Sequence, residues 1–236
     1  MFAFTVKAFA TTASFRIPES HTFQQTLSLP PVTTLTGIMG AAIGLSFEEA
    51  MIFRGEKNIL FGVIGDCKGE IRDLWKYNKI KSGESLKDVL IREYLADFSL
   101  IIAIGSNDKT TLSGVRDCFC YPKYALTAGN SDDLLKVCKI SNIVETSDEL
   151  CSDFENTVLA GDQTQDYKPP DDFLKNTPIT YVVRSPQVFL LPTGFKFNGE
   201  KRRVSRREQF TFVGSPIRLR NPVPVYRVEE SIFALL

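Results

Sequence analysis

Positively charged side chains near the C-terminal end of this sequence have the clearest chemical use. Five positive charges fall within seven residues: Lys201, Arg202, Arg203, Arg206 and Arg207. A guanidinium binds phosphate through two hydrogen bonds and also stacks on bases, so arginine-rich density favours RNA. We therefore predict that Arg202, Arg203, Arg206 and Arg207 contact nucleic acid. The alternative is a solvated hairpin tip.

A second basic segment runs from Lys68 to Arg92. It has seven lysines and arginines against four acids, and it contains Trp75 and Tyr77. Aromatic rings between cations can stack on unpaired bases. The pattern predicts a protruding hairpin in which nucleic-acid contacts are made by Trp75, Lys76, Lys79 and Arg92. The rings could equally pack the base of that hairpin.

A third candidate is the start of a predicted helix in Pro30-Pro31-Val32-Thr33-Thr34-Leu35-Thr36-Gly37. Thr33 and Thr34 can cap a helix that begins near Leu35. The free N–H groups and the positive dipole end of such a helix attract anions. Thr33, Thr34 and Gly37 are therefore candidate phosphate contacts, and an ordinary capped helix is the alternative. The core-facing positions are predicted to be Leu35, Ile38, Met39, Ala42, Ile43 and Phe47.

Catalytic and metal-binding patterns are weak. His21 is the only histidine and lies in a polar loop, so any histidine-based hydrolase would depend on it alone. The spacing Cys118-x-Cys120 does not match a zinc knuckle, and no histidine follows it. No phosphate-loop motif occurs. We predict no catalytic residue, no metal and no cofactor.

The composition restricts the class of protein. The 236 residues are 43% hydrophobic, and 28 basic residues balance 28 acidic ones. A neutral chain is unlike a general nucleic-acid binder, but charge can still be confined to one face. Five cysteines, an odd number, favour reduced thiols and a cytoplasmic protein. Neither a signal peptide nor a membrane span is expected.

Hydrophobic patterns predict an α+β protein of the ferredoxin or RRM type. A strand starts at Phe2, a loop covers Arg16 to Leu29, and α-helical periodicity follows. The acidic stretch from Glu145 to Asp172 is predicted to be a mobile connector. Further strands are predicted at Asn58–Cys67, Asp97–Gly105, Tyr121–Ala128, Tyr181–Leu191, Phe210–Leu219 and Val223–Val228, with a short helix or turn at Thr111–Phe119.

Three ordered stretches resemble one known family. The first is Ser14-Phe15-Arg16, followed by Thr26 through Gly37 and the helix GIMGAAIGL. The second is IREYLADF from Ile91 to Phe98, and the third is CYPKYAL from Cys120 to Leu126. In order and spacing these are similar to the fifth family of CRISPR-associated proteins, the RAMP-type Cascade subunit that caps the 5′ handle of the guide RNA. The resemblance covers about the first 130 residues.

The resemblance implies a single RAMP domain over residues 1–236. Its RRM-like palm would span about 1–66 and 93–190, its thumb about 67–92, and a basic β-rich region about 191–236. It implies binding of the 5′ handle of the guide RNA, with Arg16 and Lys123 joining the candidate contacts. Implied partners are the repeated backbone RAMP subunit and the large subunit of Cascade, with target DNA reached indirectly and no membrane involved.

Two alternatives remain open. Some relatives cut precursor RNA with tyrosine, lysine and histidine, so a metal-independent endoribonuclease could use Tyr121, Lys123 or His21. A complete set is missing near Arg116–Tyr124, which favours binding without cleavage. The other alternative is a protein–protein scaffold whose basic patch meets an acidic partner.

Overall fold

The secondary-structure elements follow the α+β pattern. In the computed structural model, which describes residues 1–20, 23–81, 84–170, 183–199 and 201–236, their order is β1 (Phe2–Ala13), β2 (Phe15–Arg16), β3 (Phe23–Gln24), β4 (Thr26–Leu27), α1 (Val32–Ile43), α2 (Phe47–Glu56), β5 (Leu60–Asp66), β6 (Gly69–Lys81), β7 (Glu84–Ser106), α3 (Lys109–Cys120), β8 (Lys136–Ile140), β9 (Val144–Glu145), β10 (Asp148–Phe154), β11 (Thr157–Ala160), β12 (Tyr167–Lys168), β13 (Gln187–Asn198), β14 (Lys201–Val213), β15 (Ile217–Val228) and β16 (Ser231–Phe233).

The centre of the fold is an antiparallel sheet with the spatial order β8-β1-β7-β5. Together with α1, α2 and α3 this gives the βαββαβ order of a ferredoxin-like domain. Ile102 lies opposite both Val6 and Val63 and is 1% exposed. This central part of β7 reads as a nearly continuous apolar run because both faces of the sheet are covered. The predicted RRM-like palm is confirmed.

The helix that follows Pro31 differs in detail from the expectation. Pro31 itself is the N-cap residue and has no side-chain cap, so the prediction that Thr33 and Thr34 cap the helix was wrong. The helix ends at Gly44, whose φ of 97° is the left-handed conformation that glycine adopts readily. Phe47 therefore belongs to α2 rather than to the first helix. Ser46 and Glu49 form a reciprocal capping box at the start of α2.

The predicted hairpin is confirmed as a thumb formed by β6 and the first half of β7. Their pairing runs without interruption from Gly69 opposite Ala96 to Lys81 opposite Glu84. The same β7 strand continues into the palm. At the junction Asp97 has a positive φ of 49°, and its carboxylate accepts a hydrogen bond from Lys68 Nζ at 3.1 Å.

Over its described part, residues 145–170, the acidic segment contains the end of β9 and the strands β10, β11 and β12, so the prediction of a mobile connector was wrong. Residues 171 and 172 lie outside the described part. Within it, β11 extends the palm sheet, which runs β13-β14-β11-β5 at that edge, while β10 and β12 flank β15 in a second sheet. Two of its acids form ion pairs with arginines of β15. Asp153 binds Arg218 at 2.7 Å, and Glu149 binds Arg227 at 2.7 Å.

Three other strand predictions need correction. Residues 121–128 are not a strand, because only Thr127 forms a β-bridge, with Leu134. Instead, the amides of Lys123 and Tyr124 donate to Ala42 O (2.9 Å) and Ala41 O (3.1 Å), and so satisfy carbonyls at the end of α1. The predicted strand at 210–219 is interrupted at residues 214–216. Of the strand predicted at 181–191, the first two residues lie outside the described part, residues 183–186 are not strand, and β13 begins at Gln187.

The palm face opposite the helices is sealed by the last residues of the chain. Phe233 is 0% exposed and packs with Ala3, Ala103 and Val228. A Cβ added at Gly62 would lie 2.6 Å from Phe233 Cβ, so only glycine permits this close approach. Among these residues, no aromatic ring is exposed on this face of the sheet. The face therefore differs from the sheet face of an RNA-binding RRM, where aromatic rings stack on bases.

No single described helix has both the length and the hydropathy to cross a membrane. The helices α1 and α2 meet that criterion only when they are taken together, and the chain bends by 101° between them.

Candidate nucleic-acid interface

A groove of about 520 Å³ brings together three predicted contact regions that are far apart in sequence. Arg16 comes from β2, Thr33 and Thr34 from the start of α1, and Arg202 from β14. The described lining includes no acidic side chain; its other residues are Pro18, Leu27, Pro31, Phe47, Leu191, Pro192, Phe195 and Val204. The groove therefore combines two guanidinium groups with apolar walls.

Arg202 is held in place by aromatic rings. Its guanidinium carbon lies 5.0 Å from the centroid of Phe47 and 5.5 Å from that of Phe195. These two rings contact each other edge-on with centroids 5.5 Å apart, and Phe197 joins them at 6.2 Å from Phe47. Cation–π contacts of this kind orient the guanidinium and leave its N–H groups available for a phosphate.

The first turn of α1 presents backbone donors to the same groove. The amides of Thr34 and Leu35 donate to Pro31 O at 2.9 and 3.1 Å. The amides of Val32 and Thr33 have no acceptor in the described part of the chain. An unpaired helix start has partial positive charge, so it adds to the potential set by the arginines.

Arg16, which lines the groove, and Arg207, which does not, both contact the loop that follows β2. Arg16 donates from Nε and a terminal nitrogen to Ser20 O at 3.3 and 3.2 Å and remains exposed. Arg207 binds Glu19 at 2.8 Å and also donates to Leu190 O. Arg16 therefore keeps its charge for a ligand, whereas much of the charge of Arg207 is already neutralised.

The structure divides the arginine run that the sequence presented as one patch. Alternate residues of a strand point to opposite faces. Arg202 pairs with Phe197 and faces the groove, whereas Arg203 pairs with Lys196 and faces away from it. Arg206 forms an ion pair with Glu208. Of the four predicted arginines, only Arg202 lines the groove.

The predicted contacts on the thumb form a separate group. The Arg92 guanidinium stacks on Trp75 at 3.9 Å from the ring centroid and also donates to Gln24 (3.0 Å) and to the Tyr94 hydroxyl (3.2 Å). One face of Trp75 is thus occupied within the hairpin. Lys76 is exposed, and the side chain of Lys79 lies outside the described part of the structure.

Tyr77 is bonded within the thumb as well. Its hydroxyl donates to Asp88 at 3.0 Å, and this hydrogen bond to a carboxylate raises the pKa of the tyrosine. The phenol therefore stays protonated over a wider pH range than a free tyrosine.

Lys123 and Gly37 are not part of the groove lining. Lys123 lies at the C-terminal end of α1, about 15 Å along the helix from Thr33. Gly37 lies on the outer face of the helix, where an added Cβ would meet nothing within 4 Å. Tyr121 is 88% exposed, and the remaining candidate for cleavage, His21, lies outside the described residues.

A second cavity of about 840 Å³ lies between the base of the thumb and residues 183–189. Its described lining is net acidic, because Arg184 pairs with Glu70 at 3.5 Å and two further acids, Asp66 and Glu93, also line it. Burial raises the pKa of the Cys67 thiol in its wall, and a contact with Arg184 partly opposes that shift. All five cysteines are free thiols, and the described residues contain no group of three or more His, Cys, Asp or Glu side chains that could hold a metal ion.

Sequence reasoning missed the aromatic wall of the groove. Phe195 and Phe197 alternate with Lys196 in β13, and this alternation could have indicated that the two rings share one face. Phe47 could be assigned only once its helix was separated from the one before it. No pattern in the sequence indicates that these three rings lie around Arg202.

A ferredoxin-like palm, a thumb hairpin between its second and third strands, and a C-terminal β-region define a RAMP-type protein. Two solved structures share this fold. A chain titled "CRISPR RNA-guided surveillance complex" has a TM-score of 0.55 at 14% identity, covering 94% of this chain and 91% of that one. A CRISPR protein from Archaeoglobus fulgidus has a TM-score of 0.54 at 9% identity, covering 99% and 98%.

The family follows from the sequence itself. The family described as CRISPR-associated protein (Cas_Cas5) matches residues 4–121, which is half of the chain. The chain therefore belongs to the Cas5 family of CRISPR-associated proteins, as the resemblance predicted. Comparison with curated protein sequences gives no significant match.

Proposed function

We propose that this protein is a non-catalytic subunit of a type I CRISPR interference complex, Cascade, in which it binds the 5′ handle of the guide RNA. The observation that carries the proposal is the groove. Residues from three distant parts of the chain, Arg16, Thr33 and Arg202, meet there without an acidic neighbour in the described lining. Guanidinium groups beside aromatic rings suit single-stranded RNA, whose phosphates they bind and whose bases can stack.

The proposal includes partners that share the RNA. These are the repeated backbone RAMP subunit and the large subunit, with target DNA engaged through the assembled complex in the cytoplasm. The balance of 28 basic and 28 acidic residues fits a subunit that binds a short stretch of the guide RNA and supplies only part of the free energy of RNA binding. Base pairing by the guide would then supply target specificity.

Binding without cleavage is the form of the proposal that the geometry favours. The endoribonuclease alternative relies on Tyr121, Lys123 or His21. Tyr121 and Lys123 belong to the segment at the far end of α1 from the groove, and His21 lies outside the described residues. A general base must come within hydrogen-bond reach of the hydroxyl that it activates. Incubation of the purified protein with repeat RNA in EDTA tests this point, and a unique cut within the repeat would favour the nuclease.

The main test is co-purification from cells that also express the repeat array and the other subunits. The double variant Arg16→Ala/Arg202→Ala is compared with wild type, and bound RNA is quantified and sequenced. We expect wild type to retain guide RNA, with its 5′ end protected from nuclease, and the variant to lose that end protection.

Lys109→Ala/Lys136→Ala is the matched control. It removes the same charge at exposed positions near β1 and β8, away from the β13–β14 edge of the palm sheet. Retention of a protected 5′ end by the groove variant would contradict the proposal. Assembly of the complex without any salt-sensitive RNA contact by this subunit would favour the scaffold alternative.

A further inference from the structure

The face of the β13–β14 hairpin that points away from the groove is a second basic surface. It is formed by Lys196 and Arg203, which are cross-strand partners, and by Lys201 two residues before Arg203. All three side chains are exposed, and none has an ion pair with a described residue. We call Lys196, Lys201 and Arg203 the outer basic face.

The outer basic face and the groove lie on opposite sides of the same hairpin. Side chains on the two faces of a hairpin point in opposite directions. Arg202 points to Phe47 and the groove, so its neighbours Lys201 and Arg203 point the other way. A polyanion on the outer basic face therefore approaches the hairpin from the side opposite the groove ligand.

The chemistry of the two faces differs. The groove face has Phe195 and Phe197 beside its guanidinium, which is the combination that suits unpaired bases. The outer basic face has only polar side chains, with Asn198 beside the three cations. Without rings to stack on, it suits the phosphate backbone of a duplex, which needs cations alone.

An acidic protein surface is the less suitable occupant. Protein–protein interfaces bury a core of apolar and aromatic side chains, and the outer basic face provides none. We propose that the outer basic face, Lys196, Lys201 and Arg203, binds the backbone of duplex DNA while the groove on the opposite side of the same hairpin binds RNA. In taking RNA as the groove ligand, this inference rests on the proposed function.

Fluorescence anisotropy on the purified full chain tests the inference. The probes are a labelled mixed-sequence DNA duplex and a labelled mixed-sequence single-stranded RNA, each titrated over a series of salt concentrations. Lys196→Ala/Arg203→Ala removes two duplex contacts. The slope of log K against log salt for the duplex should become shallower by about 1.8, at about 0.9 per phosphate contact.

The RNA titrations distinguish the inference about the outer basic face from the proposed function of the groove. Lys196→Ala/Arg203→Ala should leave the RNA slope unchanged, whereas Arg202→Ala should reduce it by about 0.7 and leave the duplex slope unchanged. Loss of RNA binding alone would count against the proposed function and not against the outer basic face. Lys109→Ala/Lys136→Ala should change neither slope.

Three results would overturn the inference. They are absence of duplex binding by the wild type, equal loss of RNA and duplex from the outer variant, and stoichiometric displacement of duplex by saturating RNA. The charge-preserving exchange Lys196→Arg/Arg203→Lys should keep duplex binding. If it does not, the positions act through structure rather than charge.

Discussion

Replacement of Phe233 by alanine tests whether the C-terminal strand holds the two sheets together. Phe233 is fully buried against Ala3, Ala103 and Val228, and its Cβ defines the close approach to Gly62. Removing a buried phenyl ring loses its transfer free energy and leaves a cavity, at a cost of about 3–5 kcal/mol. For a chain of this size each kcal/mol lowers Tm by about 2–4 °C, so the expected decrease is about 6–20 °C.

The assay is thermal unfolding followed by circular dichroism, with Ile80→Ala as the control. Ile80 is 80% exposed on the thumb, so its truncation should change stability by less than about 0.5 kcal/mol. RNA binding by folded Phe233→Ala protein should persist, because the groove is built from other residues. A Tm decrease no larger than that of Ile80→Ala would refute the description of this face as sealed by Phe233.

Three further predictions address local features. Gly129 has a φ of 104°, and an added Cβ would lie 1.9 Å from Ser14 O. Gly129→Ala should therefore lower the free energy of unfolding, measured by urea denaturation, by more than the about 1 kcal/mol typical of point mutants. Ser46→Ala removes a capping box and should cost about 1 kcal/mol in the same assay, with Ser46→Thr restoring most of it. Burial, and then Asp66, raises the pKa of Glu155. Stability from its neutral form is therefore present at low pH and lost as pH rises through the folded-state pKa. Glu155→Gln should consequently be more stable than wild type at neutral pH but not near pH 4, as urea midpoints at the two pH values will show.

Local sequence patterns predicted most of the palm and the thumb. Alternation in β1, the apolar run in β7 and the cation-rich hairpin each specify an element within a short window. The helix boundary at Gly44 could also have been found. Ser46 and Glu49 have the spacing of a capping box, which marks a new helix start.

The acidic segment shows where local patterns fail. Asp153 and Glu149 look like solvated connector residues until Arg218 and Arg227 are brought opposite them by strand pairing. That pairing joins residues more than sixty positions apart. Charge composition alone cannot predict this strand pairing.

The candidate groove was predicted as separate parts and not as one site. Thr33 and Arg202 were singled out by local chemistry and Arg16 through the family resemblance, but their convergence depends on how β14 joins the palm sheet. The alternation rule could have separated Arg202 from Arg203, provided that the segment was taken as a strand rather than as a hairpin tip. Lys123 was grouped with the others through the family resemblance, which does not show that its segment lies at the C-terminal end of α1.

The unbroken course of β7 makes the thumb a lever. From Glu84 to Leu90 the strand extends about 20 Å, at roughly 3.3 Å per residue, beyond the residues that pair with the palm. Its root lies at Ile91 and Arg92, which pair with Phe23 and Gln24 of β3. A rotation of about 5° there displaces the tip by about 1.7 Å over that length, roughly half the spacing of one residue along a strand. The lever is therefore short, and a partner that contacts its tip moves by less than one residue spacing when the root rotates by that angle.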